Sequence, residues 1–589
     1  MLRNEVKECD KWKLEDIFAS DIAWEKEFNE LSKKYAKIAK FSGKLNNKND
    51  ILACLKFEDE LSLSVSRLYV YANMRKDEDT AKATYQALTA RIETLSVQIA
   101  SASSFVVPEL VALDSNFLLE LASCADFADY DYSLKNLVRE KPHILSSSEE
   151  KILAEVGGFS SLFKNAFGMF DNADVKFKNF KTADGKKVEM SHGAYSTIMQ
   201  SDNRNDRVKA FNSMFNAYKG MINTVSTLYA GNVKKNCFYA KVRKYSSPLD
   251  EAMESEDIDK TVYTNLLDNV HKNIGVLHEY LDYRKQVLGY DKLHMYDLHM
   301  PLVNGTSLGV KYEEAIKIVK EALKPLGEEY GKLLDNAFND GWIDVYETKN
   351  KRSGAYSWGT YGVHPYVLLN HQETLHDVFT IAHELGHAMH SYYSNKNQCH
   401  NKASYEIFVA EVASTVNEVL LLKYLMAKAD KETKKYLLTY FLDMFRTTLF
   451  RQTQFAEFEK VAHDMALLDK PITAETLSKA YFKINKFYYG KNVISDKLIQ
   501  YEWARIPHFY NAFYVYKYST GIISAVSIAN NILTNKKDAT EGYKKFLCAG
   551  GSMSPVEILK LAEVDLTKQQ PYEVAFNVMK TTLDDLKKL

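Results

Sequence analysis

The run TLHDVFTIAHELGHAMH, from Thr374 to His390, constrains this chain more than any other stretch. Within it His383, Glu384 and His387 form H-E-x-x-H. On an α-helix, residues four apart stand one turn above each other on the same face. Two imidazoles so placed can bind one metal ion, and Glu384, one residue round, can reach a water at that ion. The run carries its own helix signals. Thr374 with Asp377 three residues on reads as an N-terminal cap with an acid in the first turn. No proline follows, and Val378, Ile381, Ala382, Leu385 and Met389 supply an anchoring face. With 15 His and 77 Asp+Glu in 589 residues, chance gives H-E-x-x-H in roughly one such chain in thirty or forty. The motif therefore needs a third ligand beside it.

A catalytic zinc takes three protein ligands and keeps one position for water. Glu411 is the expected third ligand. It lies on the next helical stretch, SYEIFVAEVASTVNEVLLLKYLMAKAD, after a polar loop, Asn395 to Lys402, that lets the chain reverse. Its neighbours Phe408, Val409, Val412 and Ala413 are apolar, so its carboxylate is expected to be buried and to need a cation. His390 is the rival, seven residues after His383 on the same face. Three turn-spaced ligands on one straight helix do not easily surround a tetrahedral metal, which favours Glu411. Glu418, a heptad beyond Glu411, is expected behind the ligands. The cofactor implied is Zn2+, one per chain; manganese or cobalt suits the same N/O donors.

Composition narrows the class further. A formal net charge of −1 gives no electrostatic case for nucleic acid or an anionic membrane. Apolar content of 46% with 26% charged residues fits an ordinary globular protein. No run of eighteen or more apolar residues occurs, so no membrane span is expected. The opening MLRNEVKECDKWKLEDIF mixes charges and lacks a signal-peptide core. Cys9, Cys54, Cys124, Cys237, Cys399 and Cys548 are scattered without a C-x-x-C pair, which suits free thiols and a cytoplasmic setting.

The pattern along the chain is helical, interrupted twice. Residues 1–195 carry apolar positions at helical spacing, a helix start near Ser147 and Glu150, and a β-hairpin: DVKFKNF, a turn at Ala183-Asp184-Gly185, then KKVEM. A division at about residue 195 gives an N-terminal helical domain, 1–195, and a catalytic domain, 196–589. Between Trp342 and Asn370 the period changes, and WIDVYETKNKRSGAYSWGTYGVHPYVLLNH reads as a small antiparallel sheet beside the site. An exposed edge there either holds a peptide by strand addition or belongs to a hairpin that only props the helix that follows. His364, in GVHPY, either contacts substrate backbone or fixes the loop before Pro365. The fold expected is mainly α with a small β subdomain.

HELGHAMH, FVAEVASTVNE and RIPHFYNAFYVYKYSTG together resemble the M3 family of zinc peptidases, and oligoendopeptidase F in particular. DKWKLEDIF, HEYLDYRKQVLGYDKLHMYDLHMPL and GTYGVHPYVLLNHQ extend the likeness over nearly the whole chain. The resemblance implies a two-lobed helical body enclosing a deep substrate channel, a gluzincin-like zinc site, and cleavage of internal bonds in short oligopeptides with intact proteins excluded. In that reading Glu384 is the general base. The tetrahedral oxyanion needs donors, and His508, Tyr514, Tyr516 and Tyr518 are suitable types; the family's C-terminal segment similarly supplies a histidine and tyrosines. With His508 as anchor, Tyr518 and Tyr516 are favoured for catalysis and Tyr514 for substrate contact. The runner-up is a zinc carboxypeptidase or dipeptidase, which needs a fixed cation for the terminal carboxylate, Arg451 and Arg505 being sources. A catalytically silent peptide binder is the remote alternative, against which all four metal-site residues stand.

Overall fold

The computed structural model describes residues 1–303 and 309–589. The chain is mainly helical with three small sheets, and it forms two compact units that interleave along the sequence. The first comprises Met1–Ile144, Ser307–Tyr424 and Ile528–Asp565; the second comprises Leu145–Thr306, Leu425–Ser527 and Leu566–Leu589.

The first unit is built on a long helix, Lys48–Glu78, capped by the Asn47 side chain, with Ala83–Ser103 packed along it. Leu88, Ile92, Leu95 and Ile99 put the apolar side of the second helix into a core shared with Trp12, Trp24, Tyr71, Tyr366 and Leu368. Ala83–Ala112 is the one described stretch long and apolar enough by composition to cross a membrane, and only 22% of its apolar window is buried. The N-terminal segment is stitched to the sheet region: Lys13 donates its N–H to the Gly341 carbonyl at 2.7 Å and Val345 donates to Asp10 at 3.0 Å. Arg3 bridges Glu78 and Asp344 at 2.8 and 2.7 Å, and buried Lys351 meets Asp344 at 2.7 Å.

The stretch expected to be an antiparallel sheet is a mixed one. Its strand order puts Tyr366–Leu368 in the centre, parallel to Ile343–Asp344 and antiparallel to Tyr356–Trp358. Only the Tyr356–Trp358 pairing is a hairpin; Ile343–Asp344 reaches the other edge of the central strand in the opposite sense. The central strand is buried on both faces, so it lacks the in–out alternation that an antiparallel surface sheet shows.

In the second unit Leu145 onward starts with a capping box one residue earlier than expected, Ser146 with Glu149. The hairpin expected at 174–190 is present over a shorter span, Phe180–Lys181 against Lys187–Val188, with Gly185 at φ +88° in the turn. Helices Arg204–Gly220, Ile222–Val242, Arg451–Leu467 and Ala474–Tyr489 form the body. A fully buried Asp297 ties Arg204 and Arg207 at 2.6 and 2.8 Å.

Candidate metal centre

The H-E-x-x-H run lies on the helix Leu375–Asn397 of the first unit. Thr374 and Asp377 close its N-terminus as a reciprocal capping box, Thr374 N–H donating to Asp377 at 2.8 Å and Asp377 N–H to the Thr374 hydroxyl at 3.2 Å. The helix Ile407–Lys428 packs against it at very short range. Gly386 makes this approach possible, because a Cβ there would stand 2.5 Å from Ser414 Cα and 2.8 Å from the Ala413 carbonyl oxygen. Buried Asn417 locks the pair, donating to the Ala382 carbonyl at 3.0 Å and accepting from Tyr330 at 3.1 Å.

The result is a triangle of donors. His383 Nε2 and His387 Nε2 stand 3.2 Å apart, and Glu411 Oε2 is 3.5 Å from the first and 3.7 Å from the second. Ligands about 2.1 Å from a tetrahedral zinc are about 3.4 Å from each other. The three atoms therefore fit one such ion, and among the described residues they form the only cluster of this kind. Their outer nitrogens are held as well: His383 Nδ1 donates to Glu418 at 2.5 Å, and His387 bonds the Ala410 carbonyl.

Electrostatics agree with a cation at this point. Burial opposes charge on His383, but Glu418, then Glu384 and Glu411, outweigh it and push its pKa up to about 9. Burial and the neighbouring His383 push His387 down to about 3, so its ring keeps a free lone pair. Glu384 is 8% exposed. Burial is the main cause that lifts its carboxyl to about 7; His383 and the backbone amide of Ser357 pull the other way. Ser357, on the edge strand Tyr356–Trp358, was not singled out by the sequence; a backbone donor leaves no residue-type signal.

His390 is not part of the triangle. It is fully buried, stacked on Tyr405 at 3.8 Å between ring centroids and on Phe546 at 5.1 Å. His364 is engaged at both nitrogens, Nε2 with Asp16 at 3.1 Å and Nδ1 with the Pro365 carbonyl at 2.9 Å, and its ring stacks on Trp342. It thus has the loop-fixing environment of the two the sequence left open.

In the second unit His508, Tyr514 and Tyr518 gather. Tyr518 Oη and His508 Nε2 are 3.4 Å apart, and the Tyr514 and Tyr518 rings are 5.5 Å apart. Tyr516, favoured from the sequence, points elsewhere: it is 1% exposed and packs edge-on against Tyr263 at 5.2 Å. The helix Tyr516–Leu533 explains why Tyr516 and Tyr518 part, since residues two apart on it diverge by about 200°; Tyr514 precedes the helix, and its ring meets those of His508 and Tyr518.

Comparison with known proteins agrees with this constellation. Residues 197–578 match peptidase family M3, and residues 109–177 match the Oligopeptidase F N-terminal family. Oligopeptidase PepF of Bacillus subtilis is 41% identical over 100% of this chain and 88% of its own length. A Chlamydophila abortus protein of known structure superposes with TM-score 0.95 at 35% identity, covering 100% of this chain and 99% of that one. The oligoendopeptidase-F structure from Enterococcus faecium gives TM-score 0.74 at 33% identity, over 96% and 99% of the two chains. The chain belongs to peptidase family M3.

Proposed function

We propose that His383, His387 and Glu411 hold one zinc ion and that Glu384 is the general base of peptide hydrolysis. The chain is a metalloendopeptidase acting on oligopeptides. The observation that carries the residue assignment is the donor triangle of 3.2, 3.5 and 3.7 Å with the buried Glu384 beside it. Two imidazoles and a carboxylate are the donor set of a catalytic zinc site with an open position. When bound, the ion supplies Lewis acidity that polarises the scissile carbonyl and acidifies the attacking water.

The chain's own groups do the rest. Glu384, poised at about 7 by burial, takes the proton of the attacking water at its carboxylate and delivers it to the leaving amine. Glu418 keeps the His383 ring in the orientation that presents Nε2. His508, Tyr518 and Tyr514 are the proposed donors to the developing oxyanion, supported by residue type and by their clustering. We propose a cytoplasmic setting on the six free cysteines, and retain 1–195 and 196–589 as sequence modules distinct from the interleaved units.

Glu384→Gln tests the assignment. It is expected to keep one metal per chain and the wild-type fold while turnover of an oligopeptide falls by at least about a hundredfold. Turnover within a few-fold of wild type would remove Glu384 from the role of base.

A further inference from the structure

The second unit contains an arginine-lined cavity that the metal chemistry does not use. Its volume is about 330 Å3, and Arg446, Arg451 and Arg505 line it with Glu502 as the one carboxylate in its wall. Arg446 Nε donates to Asp443 at 2.8 Å, and Arg284 shares that carboxylate at 3.3 Å. Arg451 donates to Glu502 at 2.6 Å, while the Tyr481 hydroxyl donates to its other oxygen at 2.5 Å. Three guanidiniums thus share two carboxylates. Arg505 is the one left over. Among the described residues it makes no direct ion pair, although Glu502 feels its charge; its Nε is buried without a hydrogen-bond partner, and its guanidinium lies 5.4 Å from the centre of the Tyr195 ring.

The backbone is shaped to gather these charges. Phe445–Phe450 forms a π-helical turn between the helices Lys431–Met444 and Arg451–Leu467. On an α-helix, residues five apart point about 140° away from each other. Bonding from i to i+5 closes that angle, so Arg446 and Arg451 come round to the same side. Such turns are rare and frequently found at functional sites. Concentrating like charge around a cavity is unfavourable unless an anion offsets it.

We propose that this cavity is a carboxylate subsite for the C-terminal end of an oligopeptide, with Arg505 meeting the carboxylate. The inference rests on the chain's action on peptides and adds a recognition element to it. A planar guanidinium presents two parallel N–H groups that match a carboxylate. Phe211, Leu298 and Ile499 give the cavity an apolar wall, which suits a last residue whose side chain sits next to its carboxylate.

The test uses full-length, metal-loaded protein and one internally quenched peptide sequence in three forms: free acid, C-terminal amide, and amide ending in glutamate. Amidation is expected to raise KM about tenfold with a smaller effect on kcat. Arg505→Gln should bring the amide-to-acid KM ratio toward one, and Arg505→Lys, which keeps charge but not the fork, should give an intermediate ratio. Rescue by the glutamate-ending amide would keep the subsite and make an acidic side chain a second source of its carboxylate. Equal KM for acid and amide in the wild type, or an unchanged ratio in Arg505→Gln, would overturn the proposal. If the wild type cut none of the peptides, the peptidase reading would be at fault, and the subsite is then read by equilibrium binding. Fluorescence anisotropy with the labelled acid and amide should show tighter binding of the acid, lost in Arg505→Gln; equal binding would overturn it.

Discussion

Glu411 and His390 lie close in sequence to the same two histidines, and only one of them reaches the donor triangle. Glu411 Oε2 is 3.5 and 3.7 Å from the two imidazole nitrogens, whereas His390 is enclosed by Tyr405 and Phe546 and pushed down to about 3 by burial. Glu411→Ala is therefore expected to weaken metal binding by more than about a hundredfold, beyond what loss of an outer partner costs. His390→Ala should leave one metal per chain and lower thermal stability instead, through the cavity it opens. Metal titration of both variants checks this, and the opposite order would move the third ligand to His390. A second residue-scale effect concerns Glu459 in the second unit. It is fully buried, accepts from the Phe513 amide at 2.8 Å, and supports that residue at φ +52°, just before Tyr514. Burial lifts its carboxyl from 4.5 to about 8. A raised carboxyl pKa means that the folded state holds a proton the unfolded state releases. Its stabilisation is complete below about pH 4.5 and is lost as pH rises through about 8. Glu459→Gln, a permanent mimic of the neutral form, should flatten the fall in melting temperature across that window; parallel wild-type and variant curves would contradict the assignment.

At the scale of elements, the site depends on how near two helices come. Gly386 is the residue that lets Leu375–Asn397 and Ile407–Lys428 touch, and Asn417 fixes their register. Gly386→Ala is expected to force the helices apart, costing about 1–3 kcal/mol of stability and weakening metal binding at least about tenfold. Unchanged metal affinity, measured by competition with a chelator, would show that the pair tolerates the shift. What was legible in the sequence at this scale was local. The capping box and the helical phase of His383 and His387 follow from spacing; the burial expected of Glu411 does not hold, since its side chain is 38% exposed. The mixed sheet was not legible, because parallel pairing of Ile343–Asp344 with Tyr366–Leu368 depends on a segment more than twenty residues away. Nor was the placing of the tyrosines, because the helix begins only at Tyr516 and leaves Tyr514 outside it, a start that the tyrosine spacing does not mark.

At the scale of the whole molecule, the two compact units each draw on three separated segments. Such interleaving is invisible to a left-to-right reading, which divides the chain where composition changes. Long-range pairs explain the difference: Arg3 with Asp344 and His364 with Asp16 join segments over three hundred residues apart. The same pairing gives His364 a structural partner that its own neighbourhood, GVHPY, does not disclose. The Arg446–Arg451 alignment was equally hidden, since a π turn has no simple sequence signature. The donor triangle was readable because H-E-x-x-H is a helical device and the carboxylate that completes the triangle lies on the next helix. This triangle is proposed to make the chain a metal-dependent cutter of internal bonds. That reading is tested most directly by incubating metal-analysed protein with an internally quenched peptide of about eight residues, with and without a chelator, and identifying products by mass spectrometry. Internal cuts that vanish with chelator and return with zinc are the predicted result; internal cuts that persist in chelator-treated, metal-free protein would contradict it.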